Sequence, residues 1–376
     1  MRGSVTKDGT SWMFVVDLPR GIDEKRRQQK RRGFPTRKVA EAELQKALQR
    51  ASAGVFVEPS RLTLGSYLID QWLPAIEGNV RTSTLASYKG NITRHVIPML
   101  GGVQLQALTA PMLTTVYRRL SEEKGLSPKT VRHVHTTIRK ALSDAIKWGL
   151  VERNAASTAE PPKLVRSEMQ TWRAEDVRTF LRFIDDDPLK VVFTLLCTTG
   201  MRRGEVLGIR WSDVDFDNAR LRVQQTLTSV EYVLVYGEPK TSRGRRSVPF
   251  DPTTLAVLRQ HRARQNETRL LMGSDWNNAR DLVMVKPDGS PVHPDTVSNT
   301  FDRRVRACGL PRIRLHDLRH TWATLALEAN IPVKVVSEVL GHNSPAFTLD
   351  VYSHVTPVMM EDLARTVGAA IFGTGA

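Results

Sequence analysis

R-L-H-D-L-R-H (Arg314–His320), followed by an apolar helical pattern and closed by L-G-H (Leu340–His342) and D-V-Y-S-H (Asp350–His354), decides how the rest of the chain is read. His316 and Arg319 are three apart and share a helix face, while Leu315, Leu318, Trp322, Leu325 and Leu327 occupy another. One reading is a helix with surface His and Arg. A second is a metal site on His316 and His320 at i, i+4, but Asp317 stands where the metalloprotease pattern has Glu, and a buried Arg would repel a dication. The third takes His316, Arg319, His342 and Tyr352 together as equipment for a phosphodiester. A guanidinium stays charged and offers a planar fork to phosphate oxygens. A phenol is a latent nucleophile once its proton is removed and its target neutralised.

Two upstream segments complete the set: T-T-G-M-R-R-G-E-V-L-G-I-R-W-S-D-V-D (Thr198–Asp215) and P-K-T-S-R-G-R-R-S-V-P-F (Pro239–Phe250). In this order the five segments resemble the motifs of the tyrosine recombinases, the phage integrase family. The resemblance implies a clamp on the scissile phosphate from Arg202 and Arg319, with Arg203 the adjacent alternative to Arg202. Glu205 would orient Arg202 from behind, or act as a helix-start acid. Lys240 would protonate the leaving 5′ oxygen, His316 would serve as base or donor, and His342 would donate a further hydrogen bond. Tyr352 would attack to give a 3′-phosphotyrosyl link. That link stores the bond energy, so no metal, ATP or other cofactor is required. His320 and His354 would play supporting parts, while Arg243, Arg245 and Arg246 would contact backbone phosphates. In one departure, Tyr352 follows His342 by ten residues where many family members have nine; N-S-P-A-F-T-L-D-V carries the extra residue.

Composition agrees with an anionic partner. The 376 residues carry 55 Lys and Arg against 39 Asp and Glu, a formal charge of +16, which attracts polyanions at long range. No apolar run of spanning length and no signal peptide is visible. Cys197 and Cys308 lie in apolar surroundings and read as small core residues in a reducing compartment. Cytoplasmic DNA is therefore the expected partner, and the resemblance implies a bacterial host.

The chain reads as three domains, mainly α with small antiparallel sheets (an α+β class). Residues 1–53 form a small strand-plus-helix domain. Trp12, Phe14 and Val16 alternate as in a strand, and Thr36 caps a helix carrying Val39, Ala40, Leu44 and Leu48. Between them runs a basic segment with Lys25, Arg26, Arg27, Lys30, Arg31 and Arg32. It is either a solvated arm or a β-ribbon contacting phosphates, and its place resembles the arm-binding domain of phage-type integrases. Residues 62–152 read as four helices. In the fourth, Ser127-Pro128 starts the helix, Val131, Val134, Ile138, Leu142 and Ala145 form its buried stripe, and Arg132, His135 and Arg139 take another face. Within the resemblance this is the core-binding domain, with Arg132 and Arg139 toward DNA. Glu152–Gln170 reads as an extended linker. Residues 171–376 form the catalytic domain: helices around one small antiparallel sheet, ending in a helix near Met359–Val367.

The expected function is a site-specific recombinase that integrates or excises a phage or mobile element. It would act on core and arm sites as a homotetramer, with a directionality factor and a host DNA-bending protein as further partners and no membrane. A Xer-like resolvase lacks the extra basic domain, and a non-catalytic architectural protein would not need the full reactive set.

Overall fold

The computed structural model describes residues 3–18, 27–52, 57, 59–164, 170–239 and 244–341. The chain divides into two compact units, Met1–Arg166 and Ser167–Ala376.

In the first unit, strands β1 (Gly3–Asp8), β2 (Ser11–Leu18) and β3 (Arg27–Phe34) form an antiparallel sheet with β2 in the centre. Helix α1 (Arg37–Ser52) covers one face. The expected cap is present: the Val39 N–H donates to Thr36 Oγ1 at 3.3 Å. Phe14, Val16, Ala40 and Leu44 are buried, and Phe14 stacks on Phe34. β3 takes in the basic run from Arg27 onward, so that part is a strand and not a loose arm. β1 was not anticipated, because its polar G-S-V-T-K-D shows no apolar alternation.

The rest of this unit is a bundle of helices at 64–76 (α2) and 82–100 (α3), with α4 (Ala110–Glu122) and α5 (Pro128–Lys147). α2 and α3 each contain a wide π-helical stretch, Tyr67–Trp72 and Ile92–Val96, two residues ahead of Pro74 and Pro98. A proline inside a helix lacks an N–H and clashes with the carbonyl four residues back. An extra residue in the preceding turn absorbs both defects, so α3 continues through Pro98 to Leu100. The bundle core is tied by polar groups as well as apolar ones. Tyr67 Oη donates to the Ala141 carbonyl at 2.7 Å, and Trp72 Nε1 donates to Asp144 Oδ2 at 2.9 Å, where Lys140 also pairs. The α5 stripe is buried as expected, and Arg132 and Arg139 are exposed.

The segment expected to be linker begins later than Glu152. Val151, Ala155, Ala156 and Ala159 pack into the bundle core. Small residues and a short turn, capped by Asn154 on the Ala156 N–H, fit the groove between helices where larger side chains would not.

The second unit is built around α7 (Lys190–Thr199), nearly every residue of which is buried. Packed about it are α6 (Ala174–Phe183), α8 (Arg203–Leu207), α9 (Pro252–Met272), α10 (Pro294–Ala307), α11 (Asp317–Glu328) and α12 (Val333–Leu340). Trp172, Phe180, Phe193 and Phe301 form an aromatic cluster at its heart. Cys197 is buried and Cys308 half-buried, and both are free thiols.

Among the described residues this unit has two sheets where one was expected. β4 (Val214–Asp215), β5 (Arg220–Arg222) and β8 (Ser247–Pro249) form one, and the hairpin β6 (Thr226–Val230)–β7 (Val233–Gly237) forms the other. The continuous β-branched run hides the break. After Val223, Gln225 turns to give its amide to the Gly208 carbonyl, and the strand leaves the first sheet. The second half of α9, as far as Met272, is mostly exposed and carries no apolar stripe.

The α5 cap gives a direct test of the first unit. Ser127 Oγ accepts from the Thr130 N–H. Ser127→Ala should cost about 1 kcal/mol, read as a lower denaturant midpoint at unchanged slope for that unit.

Candidate active site

The site is assembled where α7 ends. Gly200 follows the last turn with φ +62°, a left-handed conformation that glycine adopts freely. A Cβ there would lie 2.7 Å from the Trp322 ring and 2.9 Å from Leu340 Cδ2. Glycine is thus required twice, by backbone angle and by the close approach of α11 and α12. The turn delivers Arg202 to the start of α8. Glu205, one turn on, reaches back: Oε2 accepts the Arg202 backbone N–H at 2.9 Å and Oε1 accepts Nη1 of the Arg202 guanidinium at 2.8 Å. Glu205 therefore caps the helix and orients the arginine at once. Arg203 turns the other way, into the first turn of α10, with Nη1 on the Pro294 carbonyl (3.0 Å) and Ser298 Oγ (2.6 Å).

The R-L-H-D-L-R-H segment enters from the opposite side. Asp317 accepts the Arg314 backbone N–H at 2.8 Å and its guanidinium. This fixes the start of α11 and explains an aspartate at that position. His316 precedes the first helical residue. Arg319 is buried, with Nη1 donating to the Gly200 carbonyl at 2.8 Å and Nη2 to the Leu340 carbonyl at 2.6 Å. Trp322 Nε1 donates to the Thr198 carbonyl at 2.9 Å. The polar face that carries Arg319 is therefore an inward face, gripping the ends of α7 and α12.

His316 keeps part of its ring open to solvent and sits edge-on to His320, centroids 5.2 Å apart. Burial of the remainder is the main influence lowering its pKa to about 4. The charges of His320, Arg319 and Arg202 add to this, against a smaller opposing pull from Asp317. The imidazole is neutral at pH 7 and retains a lone pair. Burial alone would raise the Glu205 carboxyl. Instead a hydrogen bond and charge from Arg246, with the charge and backbone N–H of Arg202, hold it at about 2. An open cavity of about 500 Å3 borders the site, walled by Met201, Arg203, Ser298, Arg312, His316 and Arg319.

Arg202, Glu205, His316, Arg319 and His320 are thus brought to one turn. Lys240, His342, Tyr352, Arg243, Lys25 and Arg26 lie outside the described residues. Arg27, Lys30, Arg31 and Arg32 are on β3, with Arg32 paired to Asp8 at 3.5 Å. Arg245 pairs with Glu238 on the surface.

Arg246 departs from expectation. It does not face outward to phosphates: its side chain is 7% exposed and holds both oxygens of Glu205, Nη1 at 3.2 Å and Nη2 at 2.9 Å. The signal was available. Val248 is buried on β8 and Phe250 just after it, and a period of two carried back one residue from the strand puts Arg246 with them and Arg245 outside.

A neutral imidazole and two guanidiniums about one turn suit an enzyme acting on a phosphate ester. Residues 170–358 match the phage integrase family, residues 4–51 an arm DNA-binding domain, and residues 64–121 the N-terminal SAM-like domain of phage integrases. The chain belongs to the phage integrase family and is a site-specific tyrosine recombinase, an enzyme that cleaves and rejoins DNA.

Similar proteins include the ICEBs1 integrase of Bacillus subtilis strain 168, 27% identical over 355 residues that span 93% of this chain and 95% of that one. A XerC-like tyrosine recombinase of Caldanaerobacter subterraneus is also 27% identical, over 88% of this chain and 89% of its own. Among solved structures, the Tn1549 transposon integrase in complex with transposon right-end DNA has a TM-score of 0.69 at 21% identity, covering 81% of this chain and all of that one. A lambda integrase dimer bound to a core site has a TM-score of 0.56 at 19% identity, covering 92% and 93%. Likeness at this level of identity defines a shared fold. Among the described residues, no helix is long and apolar enough to cross a membrane.

Two outcomes follow from this geometry. Gly200→Ala should destabilise the second unit by roughly 2–4 kcal/mol, through positive φ and overpacking together, measured by denaturant unfolding. In the DNA-free protein the His316 ring should titrate near pH 4 by NMR. Its folded pKa lies below the unfolded 6.5, so the unfolded state takes the proton first. Stability is therefore lost as pH falls from 6.5 toward 4, and His316→Asn should remove that part of the loss.

Proposed function

We propose that this recombinase integrates or excises a phage or mobile element by way of a 3′-phosphotyrosyl intermediate on Tyr352. Arg202 and Arg319 clamp the non-bridging oxygens of the scissile phosphate, where charge builds in the transition state. His316 takes or shares the phenolic proton, since its neutral ring is competent as a base. Lys240 gives a proton to the departing 5′ oxygen, and His342 adds a hydrogen bond to the phosphate. His320 and Glu205 hold His316 and Arg202 in place. The energy of the broken bond is kept in the tyrosyl ester, so religation needs neither ATP nor metal.

The observation that supports this most is the convergence of Arg202, His316 and Arg319 on the Gly200 turn from segments more than a hundred residues apart in sequence. Arg203, committed to α10, is the weaker candidate for the clamp. On the DNA side, the exposed face of α5 with Arg132 and Arg139 would meet the core site. The basic strand β3, with the run that precedes it, would meet the arm site, while Arg243 and Arg245 contact backbone phosphates. A separate arm module favours an element integrase over a Xer-like resolvase. The working assembly is a homotetramer on DNA in the bacterial cytoplasm, assisted by a directionality factor and a DNA-bending protein.

The test uses nicked suicide duplexes tiled across the DNA flanking the gene. Wild-type protein should become covalently joined to one of them in EDTA. Tyr352→Phe should keep its duplex affinity and form no adduct, and adduct formation by that variant would overturn the assignment. Affinity should fall with salt at a log–log slope of about −0.9 per phosphate neutralised, and a flat salt response would remove the phosphate-contact reading.

A further inference from the structure

Arg246 is a buried cation held by a carboxylate and two carbonyls, the nearer in sequence being Gly244, whose oxygen accepts from Nη1 at 3.3 Å. Its Nη1 and Nη2 hold Glu205, at 3.2 and 2.9 Å, and its Nε donates to the Val339 carbonyl in the last turn of α12. Glu205 in turn holds both the backbone and the guanidinium of Arg202. One residue beyond Val339, the Leu340 carbonyl is held by Arg319. Gly341 then ends the helix at φ +66°, and the next residue in sequence is His342.

We propose that Arg246 is a positioning residue for strand cleavage: it locks Glu205, and through it Arg202, in register with the end of α12 from which the His342–Tyr352 segment continues. The inference rests on the reading of Arg202 and Tyr352 given above.

Three features carry it. First, Arg246 bridges Glu205, which holds Arg202, and the end of α12, which Arg319 also holds, so the contact joins the first arginine motif to the helix that closes at Gly341. Second, the charges are apportioned. Glu205 alone against Arg202 would neutralise that half of the phosphate clamp. With Arg246 taking both carboxylate oxygens, one negative charge is shared between two guanidiniums and a net positive charge remains for phosphate. Third, the chemistry is specific to arginine. A planar fork spans two carboxylate oxygens while Nε points to a third acceptor, which a single ammonium cannot do. A buried ion pair is weak evidence for stability, since apolar replacements are often as stable, so stability alone does not explain a guanidinium here.

The experiment uses the full chain and the duplex identified by wild-type adduct formation. Arg246→Met, Arg246→Lys, Glu205→Gln and the Glu205→Gln/Arg246→Met pair are compared for melting, for duplex Kd, and for single-turnover adduct rate at saturating DNA. Arg246→Met should bind within about threefold of wild type and form adduct about a hundredfold more slowly, the scale of losing one preorganised donor. Arg246→Lys should not restore the rate. The double variant should be little slower than either single one, because the residues act as a unit. A folded Arg246→Met with a near-wild-type rate would overturn the proposal. So would a rate loss matched by an equal loss of binding, or single-variant losses that multiply in the pair. Should Arg246→Met fail to fold, Arg246→Lys decides by the same comparison of rate and Kd. Adduct formation by Tyr352→Phe would bring down the site reading and this inference together. Loss of adduct in Tyr352→Phe with an unaffected Arg246 series would bring down this inference alone.

Discussion

The second unit depends on one guanidinium placed between two helix C-termini. Arg319 gives one hydrogen bond to the Gly200 carbonyl, at the end of α7, and another to the Leu340 carbonyl, at the end of α12. The last carbonyls of a helix have no partner within it and carry partial negative charge. Two such ends facing one point create a place where a cation can be buried. The arginine satisfies orphan carbonyls, neutralises two dipoles and fixes the angle between the helices. Its pose is set before any phosphate arrives, which is the condition for electrostatic catalysis to be effective.

The same economy runs through the rest of the site. Glu205 fills three acceptor roles, toward the Arg202 backbone, the Arg202 side chain and Arg246. Asp317 does the equivalent for Arg314 at the start of α11. In both places a carboxylate three residues into the segment reaches back to the entering chain, and at Glu205 local helix capping and the aiming of a functional arginine are one arrangement. His316 lies amid this positive charge and is kept unprotonated first by burial and then by that charge. The environment that would bind a phosphate is therefore also the one that leaves a base available.

Much of this was legible in the sequence, and the reasons are local. Ser127-Pro128 and Thr36 announced their helices because capping chemistry is written in one or two residues. The α5 stripe could be read from a 3.6-residue period, and the recombinase motifs from their order. What escaped reading depended on partners distant in sequence. Nothing within R-L-H-D-L-R-H says that Arg319 faces inward, since its acceptors are backbone carbonyls 119 and 21 residues away. The break between β5 and β6 is set by the Gly208 carbonyl, and the late start of the linker by a groove that only the folded bundle provides. Arg246 is different: its inward direction was implied by Val248 and Phe250, but a cluster of arginines draws attention to charge and away from alternation.

Among the described residues, the N-terminal sheet and helix enclose little apolar material, chiefly Phe14, Val16, Ala40 and Leu44. So small a core leaves a module of this length near the edge of independent stability. A ligand that gripped its basic strand would then add to the module's stability by mass action, so that its occupancy and its resistance to unfolding would rise together.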